Sequence, residues 1–177
     1  PVLCFGDSAT VLAEVKHGKK PYNFIWLTDG GDTIRAEITN ARTDSLKLPA
    51  GEYWIVVNDD RGCDADENLV LENPPELMAS ISPDPAQLCE RDTLLLHGNP
   101  SGGSGNYVHQ WSGDGAVFLN ASNIVDPKFR DALPGDYELI YSVSDSLGCI
   151  AEDTMNVIIL PTVTTSVDTL LCEGAPQ

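Results

Sequence analysis

The sequence predicts an all-β chain of tandem β-sandwich domains in an extended repeat array. Three observations carry this. Short runs of β-branched and aromatic residues alternate with turn residues about every 8–12 positions. Unlike residues recur in one register: Cys4 to Cys89 is 85 residues, Trp26 to Trp111 is 85, and Cys63 to Cys149 is 86. No stretch has the apolar spacing of a long amphipathic helix. A fixed period of this length marks a repeat architecture.

Copy one covers residues 1–75. Ser8–Val15 alternates and reads as a strand after Cys4. His17–Pro21 is a loop. Tyr22–Leu27 is a strand carrying Trp26, a ring large enough to cover a disulfide in a sandwich core. Asp29-Gly30-Gly31-Asp32 is a hairpin turn, Thr33–Ile38 a strand and Asn40–Asp44 a turn. Ser45–Leu48 is a short strand. Leu48-Pro49-Ala50-Gly51 then turns the chain into Tyr53–Asn58, and Asp59-Asp60-Arg61-Gly62 turns it again before Cys63. Asp66–Leu71 closes the copy at Asn73-Pro74-Pro75.

Copy two covers residues 76–161. Leu77–Ile81 is its first strand, and copy one shows no counterpart ahead of Cys4. Thr93–His97, Tyr107–Trp111 and Ala116–Leu119 read as strands. Leu133-Pro134-Gly135-Asp136-Tyr137 repeats the corner of copy one, and Asp145-Ser146-Leu147-Gly148-Cys149 repeats its turn. Thr154–Leu160 ends the copy. Residues 162–177 read as the first strand of a third copy, truncated or docking on a neighbour, as in a piece of a longer chain. The short junctions at Pro75 and Pro161 suggest a semi-rigid rod. The order Cys, Trp, Cys within each copy points to an immunoglobulin-like sandwich.

Five cysteines suggest an oxidising compartment. Pairing Cys4 with Cys63, and Cys89 with Cys149, keeps each bond inside one copy. Closing a loop of that length adds roughly 4 kcal/mol in the chain-entropy model. Cys172 is left unpaired within the chain. No Cys-x-x-Cys occurs, and no Cys–His spacing matches a zinc site.

A net charge of −17 repels nucleic acid and anionic lipid. No apolar run has the length of a membrane-spanning helix, so membrane insertion is not expected. His17, His97 and His109 are too scattered for a catalytic triad. Ser101–Gly105 is rich in glycine but lacks the lysine of a phosphate loop. No catalytic residues are expected and no cofactor is required. Asp59, Asp60, Asp64 and Asp66 form a candidate weak calcium site, although their spacing fits no standard loop.

The motifs Cys4-Phe5-Gly6-Asp7, Pro21-Tyr22-Asn23-Phe24-Ile25-Trp26, Leu48-Pro49-Ala50-Gly51-Glu52-Tyr53 and Asp60-Arg61-Gly62-Cys63 cover nearly all of copy one. In their order and spacing it resembles the SprB-type gliding-adhesin repeats of bacterial surface proteins. Copy two departs at Gly105-Asn106-Tyr107 and in its longer middle section, and is more similar to the PKD-like modules of the same proteins. The resemblance implies long secreted fibres at the outer surface of gliding-type Gram-negative bacteria, serving adhesion. It implies neighbouring repeats or copies of the same protein as partners, with surface polysaccharide as a further candidate. It carries over no catalytic residue.

Seven Asp-(Ser/Thr)-aliphatic tripeptides place Ser8, Thr33, Ser45, Thr93, Ser146, Thr154 and Thr169 after an aspartate. The tripeptide is similar to the O-glycan acceptor of the same bacteria, which makes these seven candidate O-glycosylation sites. Turn-to-strand grammar explains the pattern equally well, since Asp ends turns and Ser or Thr opens strands. The function expected is a structural and adhesive repeat. The alternative is a carbohydrate-binding module attached to a secreted enzyme, for which Trp54 is the best platform residue: it follows Tyr53 on the strand and so faces the other side.

Overall fold

The computed structural model describes residues 1–162. The chain divides into two compact units, Pro1–Pro74 and Pro75–Gln177. Each is built as an immunoglobulin-like β-sandwich.

The first unit has six strands: β1 Ser8–Glu14, β2 Tyr22–Thr28, β3 Thr33–Thr39, β4 Thr43–Pro49, β5 Gly51–Asn58 and β6 Asp64–Leu71. β1 and β4 pair antiparallel as one sheet, and β3-β2-β5-β6 form the other. The core lies between them. Tyr22, Phe24 and Trp26 alternate inward along β2 and are fully buried. Tyr53 and Ile55 do the same from β5, and Leu48 and Ala9 meet them from the facing sheet. Period-2 burial of rings and branched chains is what a half-buried strand requires. Each ring removes about 150–250 Å² from water, so these few residues dominate the cohesion of the unit.

Among its described residues the second unit has eight strands: β7 Ile81–Ser82, β8 Ala86–Cys89, β9 Thr93–Leu95, β10 His97–Gly98, β11 Val108–Ser112, β12 Lys128–Arg130, β13 Gly135–Ser144 and β14 Ile150–Leu160. The large sheet runs β11-β13-β14-β8, and the pairs β10-β7 and β12-β9 complete the strand ladders. Leu139, Tyr141 and Val143 of β13 lie beside Met155, Val157 and Ile159 of the neighbouring β14 in one core with Trp111 and Phe129. β8 joins β14 in parallel, with Ala86 opposite Val157 and Cys89 opposite Leu160.

Two corners recur in both units. The Tyr53 hydroxyl donates to the Pro49 carbonyl at 3.0 Å, and Tyr137 donates to Leu133 at 2.9 Å. These are tyrosine corners, which fix the entry to the penultimate strand of a sandwich. Gly51 and Gly135 both hold φ at 157°, where a side chain would sit badly. The Tyr22 hydroxyl donates to Gly18 at 3.0 Å, and Tyr107 donates to Gly102 at 2.7 Å.

Two segments differ from their expectations. Leu77–Ile81 is not a continuous strand: Met78 makes an isolated bridge to Ser101, and β7 begins only at Ile81. Residues 114–118 form a 3-10 helix rather than a strand over Ala116–Leu119. A Cβ on Gly113 would come within 2.4 Å of the Glu138 carbonyl oxygen, and Asp114 accepts the Glu138 N–H at 2.6 Å. The segment is thus tied flat against β13, which favours a tight turn over an extended run.

Candidate functional site

The turn from Asp59 to Cys63 is built around one carboxylate. Asp59 Oδ1 accepts the N–H groups of Arg61 at 2.8 Å and Cys63 at 3.0 Å, and Oδ2 accepts that of Lys19 at 3.0 Å. Gly62 supplies the left-handed position with φ 77°. The second unit repeats this: Asp145 Oδ1 accepts Leu147 at 2.9 Å and Cys149 at 3.0 Å, and Oδ2 accepts Ser104 at 2.8 Å. The Lys19 amide does most to hold the Asp59 carboxyl below its usual range, followed by Cys63 and Arg61. The Ser104 amide plays the same part for Asp145. Each turn therefore presents its cysteine from a rigid, charged anchor.

Beside this turn, the first unit carries a cleft of about 740 Å³. One wall is the end of β1 and the loop after it, Leu12–Gly18. The other is the start of β6, Asp64–Glu67, and the floor is Tyr22, Ile55 and Val57. Cys63 lines the cleft, and its thiol is free and exposed. The floor is apolar and one wall acidic, so the cleft suits a ligand with buried apolar side chains and backbone N–H groups to offer. The expectations did not include this cleft, because its walls are ordinary strand and loop residues.

The expected cysteine pairing is corrected. Cys63 is free whereas Cys4 is disulfide-bonded, so the two are not joined. Cys89 and Cys149 are both disulfide-bonded, but not to each other. Cys89 lies beside Leu160 at one end of β14, and Cys149 precedes Ile150 at the other. A strand of 11 residues spans roughly 35 Å, and a disulfide needs Cα atoms within about 7 Å. The first unit has the same layout: the Gly6 N–H meets Asn73 just past the end of β6, and Cys63 precedes its start. The Trp26 indole N–H donates to Asp44 at 2.7 Å. Cys172 lies outside the described residues.

The candidate calcium ligands do not converge. Asp59 spends both oxygens on backbone N–H groups, and Asp60 pairs with Lys19. Among the described residues no group of three His, Cys, Asp or Glu is placed to hold a metal ion. The histidines are also separate: His97 meets Asp126 at 3.1 Å, and His109 meets the Tyr141 hydroxyl at 2.7 Å. Thr33, Ser45, Thr93, Ser146 and Thr154 are exposed and Ser8 is half-buried, whereas Thr169 lies outside the described residues. Ser8, Thr33 and Thr93 each open a strand, the position that turn-to-strand grammar gives them. Trp54 faces outward between buried Tyr53 and Ile55 and is 36% exposed. Among the described residues no helix is long and apolar enough to cross a membrane.

No protein-family model matches the chain, and no curated protein matches it. Several solved structures are similar. The fibronectin(III)-like modules of Clostridium thermocellum CbhA are 13% identical, with 91% of this chain and 92% of that one covered and a TM-score of 0.37. The tandem Ig repeats of Dlar are 12% identical, covering 89% and 91%, with a TM-score of 0.37. A C-terminal fragment of intimin, solved with the intimin-binding domain of its translocated receptor, is 14% identical, covering 88% of this chain and 58% of that one, with a TM-score of 0.47.

Proposed function

We propose that this chain is a non-catalytic structural and adhesive repeat segment of a long extracellular surface fibre. The reading takes the first unit as an SprB-type repeat and the second as a PKD-like one, displayed at the outer surface of a gliding-type Gram-negative bacterium. The observation that carries it is the duplication of the framework. Both units repeat the Asp59/Asp145 turn, the Tyr53/Tyr137 corner and the Tyr22/Tyr107 bond. The histidines do not recur at the repeat spacing, and among the described residues no three His, Cys, Asp or Glu are placed to hold a metal ion. A chain that repeats its corners and varies its faces is suited to span a distance and offer surface. In this reading its partners are neighbouring repeats or further copies of itself, and the exposed Ser and Thr residues that follow aspartates carry O-glycans.

Immunogold labelling of intact cells from the native source, with antibody to this chain, tests the proposal. Label on surface fibres is the expected result. Label confined to broken cells would sink it.

A carbohydrate-binding module is the second reading, favoured by the outward-facing Trp54. It expects binding on a glycan array that disappears in Trp54→Ala.

A further inference from the structure

We propose that the outer face of the four-stranded sheet in the first unit is a docking surface for a different protein, one that presents apolar side chains flanked by Lys or Arg. Burial of Tyr22, Phe24 and Trp26 turns Ile25 and Leu27 to the other side of β2. Burial of Tyr53 and Ile55 does the same for Trp54 and Val56 on β5. The register sets Ile25 opposite Val56 and Leu27 opposite Trp54. Ala36 of β3 lies beside Ile25, and Ile38 stands exposed at the corner. Together they form one apolar patch on the side of the sheet that faces away from the core.

The fold itself does not require this patch. At the repeat spacing of 85 or 86, the second unit has Gln110, Ser112 and Ser142 where the first has Ile25, Leu27 and Val56. Ile140 stands in the place of Trp54. The pairing is the same, with Gln110 opposite Ser142 and Ser112 opposite Ile140. Here too the neighbours Trp111 and Tyr141 are buried, so these positions face outward. One sheet face thus folds with amide and hydroxyl groups and the other with aliphatic chains. An apolar patch that packing does not demand, set among polar residues, marks an interaction surface.

Charge selects the occupant. Asp66 lies next to Val56 across the sheet, and Asp64 and Glu52 point the same way from β6 and β5. Among the described residues of these four strands the only cation is Arg35, which lies opposite buried Trp26 and pairs with Asp44. The margin of the patch is therefore acidic and carries no compensating charge from its own strands. A second copy of this chain, at net charge −17, would set like charges together. A glycan needs several convergent polar groups, and the side chains around Trp54 are aliphatic. A polypeptide with an apolar centre and a cationic flank meets both the patch and its margin. This partner goes beyond the fibre reading and does not rest on it.

The test pans a random peptide library displayed on phage against the full chain. Selected peptides should combine apolar residues with Lys or Arg. Trp54→Ala should weaken their binding about tenfold. Asp64→Lys combined with Asp66→Lys leaves the apolar patch in place and should weaken it about tenfold as well. Ile25→Gln with Val56→Ser copies the second unit, so it should keep the wild-type circular dichroism and lose the peptides. A library that yields no binder, or peptides that bind every variant like the wild type, overturns the proposal. Peptides sensitive to the aspartates alone would sit in the cleft, which both line, and overturn it too. Glycan-array hits lost in Trp54→Ala, with no peptide selected, would assign the face to a sugar instead. Self-association in light scattering, lost in Ile25→Gln with Val56→Ser, would assign it to a second copy. Patch-dependent peptide binding by a protein that labels only in broken cells would leave the docking face standing and remove the fibre.

Discussion

Trp26 and Asp44 join the two sheets of the first unit: the indole N–H on β2 donates to a carboxylate oxygen on β4 at 2.7 Å. The Arg35 guanidinium pairs with the other oxygen. Burial pushes the Asp44 carboxyl up, but the bonds from Arg35 and Trp26 outweigh it, and the group is held below its usual range. Asp44→Ala leaves a fully buried indole N–H without an acceptor and should cost about 1–3 kcal/mol. Urea unfolding should show a lower midpoint with an unchanged slope, and Asp44→Asn should recover part of the loss.

The tyrosine corners should be separable from the rest of the core. Tyr53→Phe and Tyr137→Phe keep the ring and remove one hydroxyl bond each. Each should cost about 0.5–1.5 kcal/mol, measured by urea or thermal unfolding. A loss well beyond that range would mean the ring had moved.

Acid should weaken both units through the same kind of group. Asp44, Asp59 and Asp145 are all held below the usual carboxylate range by hydrogen bonds in the folded chain. A carboxyl lowered on folding gives stability that is complete above its unfolded value and is lost as pH falls through the folded one. Wild-type stability should therefore decline below about pH 4, and Asp145→Ala should flatten that limb. An unchanged acid limb in the variant would remove Asp145 as a contributor.

Gly98 leaves no room for a side chain. A Cβ there would lie 2.4 Å from Cζ of the buried Tyr141 ring. Gly98→Ala should destabilise the second unit by about 1–3 kcal/mol through overpacking. The tilted contact of Tyr141 with Trp111, centroids 4.7 Å apart, should be disturbed as well, visible in near-ultraviolet circular dichroism.

Thiol mapping checks the revised cysteine chemistry. Alkylation of the unreduced, denatured chain should modify Cys63, whereas Cys4, Cys89 and Cys149 should react only after reduction. Recovery of a peptide joining Cys4 to Cys63, or Cys89 to Cys149, would contradict the strand layout.

Features written into a few neighbouring residues were legible in the sequence. Leu48-Pro49-Ala50-Gly51-Glu52-Tyr53 and Asp59-Asp60-Arg61-Gly62 contain their own turn chemistry, and the chain turns where they predict. The inward alternation of Tyr22, Phe24 and Trp26 was equally local. The cysteine pairing was not legible, because it depends on where strand ends fall in space. Spacing shows two cysteines in one copy; the parallel register of β8 on β14 puts them at opposite ends of a strand. β8 itself is short, lies next to Pro83 and Pro85, and owes its pairing to a partner some 70 residues away. The cleft was hidden for the same reason, since its walls meet only once β1 and β6 are in place.

The parallel pairing of β8 with β14 also decides how the second unit would respond to being pulled. β8 lies near its amino-terminal end and β14 leads out of it. Tension on the chain drags the two strands past each other lengthwise, so their four residue pairs bear the force in shear and must give way together. An antiparallel pair loaded from one end would unzip one bond at a time. The pairing of β8 with β14 therefore latches the unit against extension.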